Sequence, residues 1–216
     1  MAPKPSRRRH RQNEPQGTRE LILAEAMRLI ARDGVEEMKV KDVADAVGIQ
    51  TPSIYKHFEN RDAIIAELSR NMVEELAQFL NPDPDLPPLA WLETWVKGLV
   101  WFYASRPAYV RMVLRDLATP GGFEPMVAAL GPVEETANID AVARFDDAFR
   151  AAYAKGVDAG VFQPIDHSTF YSMLFGAVLV SLAWPYSATR KPFGAAELDR
   201  LQSIAVAAAL HLAKKI

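Results

Sequence analysis

The 216-residue chain contains no cysteine, and this absence excludes several classes of protein at once. Without a thiol there are no disulfides, no thiolate nucleophile, no cysteine redox sensor and no zinc site built on cysteine. Long hydrophobic runs are also missing. The longest, residues 173–184, is too short to cross a membrane and fits a buried helix. Positive charge stands near the first residue, but the apolar segment of a secretion signal does not follow it. We therefore expect a cytoplasmic protein that does not enter a membrane.

Motifs of catalysis and of metal binding are missing as well. No Gly-rich phosphate loop, nucleophile elbow or HExxH motif occurs. The histidines lie far apart in sequence, and none forms a helix-spaced metal pair; they are His10, His57, His167 and His211. We expect no catalytic residue, no metal site and no cofactor.

Charge is distributed unevenly along the chain. Residues 1–61 carry 12 Lys and Arg against 9 Asp and Glu, a net charge of +3, whereas residues 62–216 carry 13 against 18, a net charge of −5. A basic first third suggests that one part of the protein faces a polyanion. Half of the residues are hydrophobic, which is enough for a sizeable core.

Residues 1–17 are rich in Pro, Arg, Gln and Asn, which predicts a disordered arm. The arm carries a basic cluster, formed by Arg7, Arg8, Arg9 and Arg11. Such a cluster either lies along phosphates or in a minor groove, or it is a solvated tail. The sequence leaves both interpretations open.

Helical periodicity and helix-end signals predict an all-α fold for the rest of the chain, because no run of β-branched alternation indicates a sheet. Thr18 is predicted to cap the first helix and Gly34 to end it. Asn60 and Asp166 are predicted caps of two later helices. The predicted helices cover residues 18–33, about 40–47, 51–58, 61–80, 87–105, 107–118, 123–130, 138–159, 166–186 and 195–214.

The three short helices within residues 18–66 match the helix-turn-helix plan of DNA-binding proteins. Ala44 is small and lets the second helix approach the third, while Gly48 supplies a tight turn that a Cβ would strain. Thr51 is expected to cap the third helix, with Pro52 at its first position. Residues 18–66 are therefore predicted to be a DNA-binding domain, and residues 67–216 a second helical domain.

The third helix, residues 51–58, has two faces. Ile54 and Phe58 are four residues apart and are expected to be buried together. The opposite face is short enough to enter a major groove, and it presents Thr51, Pro52, Ser53, Lys56 and His57.

These segments resemble the tetracycline-repressor (TetR) family of transcriptional regulators. The resemblance lies in residues 40–49 (VKDVADAVGI) and 53–64 (SIYKHFENRDAI), with residues 19–26 (RELILAEA) similar to the family's first helix. It implies an N-terminal three-helix DNA-binding domain followed by a larger helical domain for ligand binding and dimerisation. It also implies a homodimer on a palindromic operator.

The resemblance further assigns roles to residues around the third helix. Thr51, Pro52, Ser53, Lys56 and His57 would approach base edges. Tyr55 would reach a phosphate through its hydroxyl while its ring packs inward. Arg19 and Arg61 would bind phosphate from the starts of the first and fourth helices. Lys39 stands where the family usually has a Thr that caps the second helix and touches phosphate. A lysine cannot cap the helix as Thr does, but it can still reach the phosphate.

Each of three residues also has a structural interpretation. Tyr55 is alternatively a core residue, Lys56 a solvated surface lysine, and His57 a cap for carbonyls at the helix end. The sequence does not separate these alternatives from DNA contact.

Aromatic residues are dense after residue 90, which indicates either a packed core or a ligand pocket between helices. The resemblance implies a pocket, and the side chains expected to line it are apolar: Trp95, Phe102, Met112, Phe149, Tyr153 and Met173. A small hydrophobic or aromatic effector would suit them. No charged group is placed clearly enough to be named as its counter-ion.

The helices at about 166–186 and 195–214 are expected to form the dimer surface. Both carry strips of small or aliphatic residues that allow close helix approach; the strips are Gly176, Ala177 and Ser181 on one helix and Ile204, Ala205, Ala208 and Leu212 on the other. Packing within one chain would use the same residues.

Three functions are compatible with these features. The first is a ligand-responsive repressor that releases its operator when an effector binds. The second is a DNA-binding regulator without a small-molecule ligand, either constitutive or controlled by a protein partner. The third, an enzyme or interaction module with an incidental three-helix head, predicts no sequence-specific operator.

Overall fold

A computed structural model describes residues 15–118, 137–189 and 192–214. Over these ranges the secondary structure is helical apart from one isolated bridge between Phe162 and Lys214, which confirms the expected all-α fold. The basic cluster at residues 7–11 and the helix expected at 123–130 lie outside the described residues. The described helices are α1 (Pro15–Asp33), α2 (Val40–Val47), α3 (Thr51–Ile54), α4 (Arg61–Phe79), α5 (Pro88–Ala104), α6 (Pro107–Ala118), α7 (Ala137–Asp158), α8 (His167–Thr189) and α9 (Ala195–Ala213).

Helix α1 buries the face that its periodicity predicts, because Ile22, Ala26 and Ile30 are fully enclosed. Gly34 ends the helix with a φ of 105°, as expected for a residue without a Cβ. The predicted cap at Thr18 is wrong. Thr18 lies inside the helix, whose described part already includes Pro15.

Helix α2 is joined to α3 by the turn that Gly48 was expected to supply. Gly48 has a φ of 78°, and the following amide of Ile49 donates to the carbonyl of Ala44 over 3.0 Å. Val43 and Ala44 are fully buried. Ala44, with its small side chain, is therefore part of the buried core of the helix-turn-helix.

Helix α3 is shorter than expected and begins differently. Its α-helical part ends at Ile54, and Gln50 rather than Thr51 occupies the capping position, without a side-chain hydrogen bond. Beyond it the chain continues in a tight turn, because the amides of Lys56 and His57 donate to carbonyls three residues back. The prediction of one α-helix over residues 51–58 is therefore wrong, because only residues 51–54 are α-helical and residues 55–57 form a turn.

Helices α1, α2 and α3 form the three-helix unit that we call the head. Helix α4 follows the head and extends into the larger helical body. The amide of Ala63 donates to Oδ1 of Asn60 over 2.8 Å, so the predicted cap is confirmed. The predicted cap of α8 is confirmed in the same way, since Asp166 Oδ2 accepts from the amide of Thr169 over 2.9 Å.

The body, called the core domain below, is built around the apolar helix α5. Helices α7, α8 and α9 pack against α5, and α7 also packs against α4. Helix α1 of the head packs against both α2 and α6, so the head and the core domain share a contact besides the continuous α4. No helix within the described ranges is both long and apolar enough to span a bilayer.

Candidate nucleic-acid interface and interior cavities

Residues 51–58, called the recognition segment below, are anchored by two buried side chains. Ile54 is fully enclosed, and Phe58 is 4% exposed. Both amides that close the segment, those of His57 and Phe58, donate to the carbonyl of Ile54, over 2.9 and 3.0 Å. The anchoring predicted from the four-residue spacing is confirmed, and it fixes which side of the segment faces outward.

The five residues predicted to approach base edges divide by exposure. Pro52 and Lys56 are exposed, whereas Thr51, Ser53 and His57 are half-buried. A major-groove contact requires a side chain that projects from the surface. Lys56 meets this requirement best, and the base contacts of all five stay predictions.

Tyr55 differs from the expectation that its ring packs inward. The side chain is 53% exposed, which also excludes the alternative of a core residue. The reason is geometric: Ile54 and Phe58 occupy the buried face, and Tyr55 follows Ile54 by about a quarter turn. Its phenol therefore lies on the outer surface beside Lys56, and its contact with phosphate stays a prediction.

Arg19 connects the recognition segment to two helices. Its guanidinium lies 4.5 Å from the ring centroid of Phe58 and donates to Oε1 of Glu67 on α4 over 2.5 Å. The hydrogen bond from Arg19 is the main cause that lowers the pKa of Glu67. Arg19 thus holds α1, α4 and the end of the recognition segment together, and phosphate contact would use its remaining exposed donors.

Arg61 makes two hydrogen bonds within the protein, in addition to the phosphate contact that was predicted for it. Nε donates to the carbonyl of Met38 over 2.9 Å, and Nη2 donates to the carbonyl of Val35. Both carbonyls lie in the loop between α1 and α2. The side chain therefore ties that loop to the start of α4, and its binding of phosphate stays a prediction.

Lys39 occupies the cap position of α2 without a side-chain hydrogen bond to the helix, as the sequence indicated. The residue is exposed. A lysine side chain carries three donors and no acceptor, so it cannot bond the free amides of a helix start.

Replacing Arg61 by Ala is expected to lower the free energy of unfolding by about 1–3 kcal/mol, because two carbonyls lose a charged donor. Urea denaturation followed by circular dichroism measures this change. The exposed Lys39→Ala is the matched control, with an expected change within about 0.5 kcal/mol. If both variants unfold at the same urea concentration as the unaltered protein, Arg61 does not hold the loop.

Among the cavities bordered by the described residues, none is lined by all six residues predicted to line an effector pocket. Trp95 and Phe149 border a cavity of about 130 Å³, together with Trp91 and Ala152. Their rings are in edge contact, with centroids 4.7 Å apart. This part of the core is filled by its own aromatic side chains, which leaves little room for a ligand.

The other four predicted lining residues lie elsewhere. Phe102 and Met112 are fully enclosed, and neither borders the cavities described here. Tyr153 is buried, and its hydroxyl donates to the carbonyl of Gln163 over 3.1 Å. Met173 is 54% exposed on α8, so its placement in an interior pocket is wrong.

A larger cavity lies where the head meets the core domain, and we call it the head–core cavity. Its volume is about 330 Å³. Its walls come from the α1–α2 loop, from α5, α6 and α8, and from the segment before α9; they include Gly34, Val35, Arg111, Leu114, Arg115 and Leu182. Sequence reasoning missed this cavity, although two arginines four residues apart on α6 were a usable signal.

The comparisons with known proteins agree with this architecture. Residues 22–68 match the family model of bacterial regulatory proteins, tetR family. A segment of 60 residues is 35% identical to the HTH-type transcriptional repressor KstR2 of Rhodococcus jostii, and it covers 28% of this chain and 29% of that protein. These matches are confined to the N-terminal part of this chain. The chain spans less than a third of the length of the relative that it matches.

The likeness to solved structures extends over most of the chain. The ketosteroid transcriptional regulator KstR2 of Mycobacterium tuberculosis superimposes with a TM-score of 0.68 at 20% identity, over 92% of this chain and 95% of that one. A bacterial regulatory protein in the tetR family from Rhodococcus RHA1 gives a TM-score of 0.71 at 16% identity, over 92% and 98%. At these identities the shared property is the fold. The proteins that the chain resembles are described as transcriptional regulators, and residues 22–68 are similar to the N-terminal domain of bacterial regulatory proteins of the tetR family.

Proposed function

We propose that this protein is a cytoplasmic, dimeric transcriptional repressor that binds a palindromic operator and releases it when a small apolar molecule binds. Residues 18–66 form the DNA-binding domain, and residues 67–216 form the effector-binding and dimerisation domain. The observation that carries the proposal is the outward face of the recognition segment, where Pro52, Tyr55 and Lys56 project from a turn anchored by buried residues.

Three basic residues belong to the same part of the chain as this face. Arg19 and Arg61 are partly exposed, Arg61 is the first residue of α4, and Lys39 is exposed. In the proposed complex these three residues contact phosphates and orient the recognition segment. Lys56 and His57, with Thr51, Pro52 and Ser53, approach the bases.

The proposed dimer forms through α8 and α9. Helix α8 exposes a stripe at helical spacing that includes Met173, Val180 and Trp184, of which Trp184 is 80% exposed. On α9, Ile204 is 60% exposed. A contiguous apolar surface of this kind is typical of a protein–protein interface, and a second copy of the chain would cover it symmetrically. We call it the α8–α9 face.

Selection of bound DNA from a random pool tests the proposal directly. The expected result is an inverted repeat whose half-sites are separated by about one helical turn of DNA, or by a multiple of it, because a two-fold dimer presents two recognition segments. Recovery of no preferred sequence would refute the proposed function.

Lys56→Ala is expected to weaken operator binding about ten- to a hundredfold, since a side-chain contact to a base edge contributes roughly 1–3 kcal/mol. Fluorescence anisotropy with the selected operator measures the effect at several salt concentrations. Lys97→Ala is the matched control, because Lys97 lies on α5 and pairs with Glu93. Equal operator affinities of the two variants would show that Lys56 does not contact the operator.

The second candidate function is a regulator without a small-molecule effector. It is favoured by the tight packing of the aromatic core, where Phe102 and Met112 are fully buried. A thermal-shift screen separates the two functions. Stabilisation by a small molecule supports the ligand-responsive repressor, and its absence from a broad library supports constitutive or partner-controlled regulation.

A further inference from the structure

We propose that Glu67 is a positioning residue for sequence-specific DNA binding: from α4 it holds the guanidinium of Arg19 against Phe58, and it thereby fixes the end of the recognition segment. This inference rests on the proposed function, because it names a residue that determines operator binding without contacting the operator itself. The contact between α1 and α4 at this place is then a determinant of specificity, besides its contribution to the stability of the fold.

The two carboxylate oxygens of Glu67 accept from two different arginines. Arg19 Nη1 donates to Oε1 and Arg70 Nη2 donates to Oε2, both over 2.5 Å. Arg70 lies three residues further along α4, so its bond orients the carboxylate on its own helix. The bond to Arg19 joins residues 48 positions apart and crosses from α4 to α1. The side chain of Glu67 is 19% exposed, and this shielding from water strengthens its attraction to the arginines.

Arg19 in turn lies on the recognition segment. Its guanidinium is 4.5 Å from the ring centroid of Phe58, which is within the range of a cation–π contact. Phe58 is buried, and its burial together with that of Ile54 determines that Lys56 projects outward. Among the described residues, Glu67 is the one hydrogen-bond acceptor of the Arg19 side chain. Loss of that acceptor therefore frees the guanidinium to leave the ring.

The charge of Glu67 gives this role a distinct signature. The hydrogen bond from Arg19 is the largest cause that lowers the pKa of Glu67, so the carboxylate is ionised at neutral pH. A carboxylate beside a DNA-binding surface repels phosphates, and by charge alone its removal strengthens binding to any duplex. Loss of positioning has the opposite effect on the operator, because base contacts require a correctly placed recognition segment. A comparison of operator with unrelated DNA therefore separates the position that Glu67 fixes from the charge that it carries.

Glu67→Gln is expected to lower operator affinity about tenfold and to leave the affinity for an unrelated duplex of equal length unchanged or higher. Fluorescence anisotropy of the full-length protein at one fixed salt concentration measures both affinities, with the operator selected from the random pool. Glu25→Gln is the matched control, because it removes a carboxylate of α1 that pairs with Arg28 on the same helix. The control is expected to keep the ratio of the two affinities unchanged.

A double-mutant cycle tests whether Glu67 acts through Arg19. Arg19→Gln is expected to lower operator affinity at least as much as Glu67→Gln, because Arg19 also contacts phosphate in the proposed complex. The double variant is expected to bind the operator no more weakly than Arg19→Gln alone, since no guanidinium is left for Glu67 to hold. Circular dichroism confirms that each variant is folded. If Glu67→Gln is not folded at the temperature of the titration, Glu67→Asp takes its place in the cycle, because it keeps the charge on a shorter side chain.

Three results overturn the positioning role. Unchanged operator affinity in the Glu67 variant shows that the recognition segment does not depend on it. Equal losses of affinity for operator and unrelated DNA show that Glu67 contributes to stability alone, and losses that multiply in the double variant show that it acts independently of Arg19. In all three cases the unaltered protein still binds its operator, and the proposed function stands. Failure of the unaltered protein to select any DNA refutes the proposed function and the positioning role together.

Discussion

The double substitution Val180→Glu with Ile204→Glu is expected to convert the protein to monomers and to weaken operator binding at least a hundredfold. Both side chains are well exposed in the single chain, at 59% and 60%. In the proposed dimer they are buried, and a carboxylate buried without a partner costs several kcal/mol. Two-fold symmetry places each change in the interface twice.

The operator effect follows from the loss of the dimer. A monomer has one recognition segment and gains the contacts of one half-site only. Sedimentation velocity measures the mass of the species, and fluorescence anisotropy with the selected inverted repeat measures affinity. The monomer should also bind a single half-site as well as it binds the full operator.

Leu89→Glu is the matched control for this experiment. Leu89 is an exposed apolar residue on α5, at 39%, and it lies outside the α8–α9 face. The control is expected to stay dimeric and to bind the operator normally. A double variant that sediments as a dimer would place the interface on another surface of the chain.

Gly156→Ala is expected to lower the free energy of unfolding by about 1–2 kcal/mol and Tm by about 2–8 °C. A Cβ at this position would stand 2.1 Å from Cδ2 of Phe162. Overpacking of a core costs typically 1–3 kcal/mol and occasionally more, while alanine regains about 1 kcal/mol of helix propensity over glycine. The clash therefore outweighs the gain.

Phe162 has little freedom to move away from that Cβ. It is 1% exposed and stacks on Tyr153 with ring centroids 5.0 Å apart. Its own amide donates to the carbonyl of Gly156 over 3.0 Å. The segment that follows α7 thus packs directly on the glycine, and the close approach requires a residue without a side chain.

Differential scanning calorimetry measures the change in Tm. Gly17→Ala is the matched control, because Gly17 is also helical and no atom of the described residues beyond its own helix backbone and chain neighbours lies within 4 Å of the place its Cβ would take. It is expected to leave Tm unchanged or slightly higher. Equal melting temperatures of the two variants would mean that the ring of Phe162 relaxes without cost.

Local sequence signals were sufficient for the helix-turn-helix and for most helix ends. Gly34 and Gly48 adopt positive φ as predicted, and Asn60 and Asp166 cap the helices assigned to them. These features depend on residues close together in sequence, where spacing and backbone preference decide the outcome. The start of α1 and the end of α3 were misplaced because helix termini respond to bonds that spacing does not encode.

The sequence by itself determined the all-helical architecture, the identity of the recognition segment and its anchors at Ile54 and Phe58. Only the tertiary structure decided which of the other side chains are exposed and which partners they contact. It turned Tyr55 and Met173 outward and bonded Arg61 to carbonyls more than 20 residues away in sequence. It also assembled the head–core cavity from residues as distant as Gly34 and Leu182. Periodicity reports which face of a helix is apolar, whereas a cavity depends on how several helices pack together, and one helix does not carry that information.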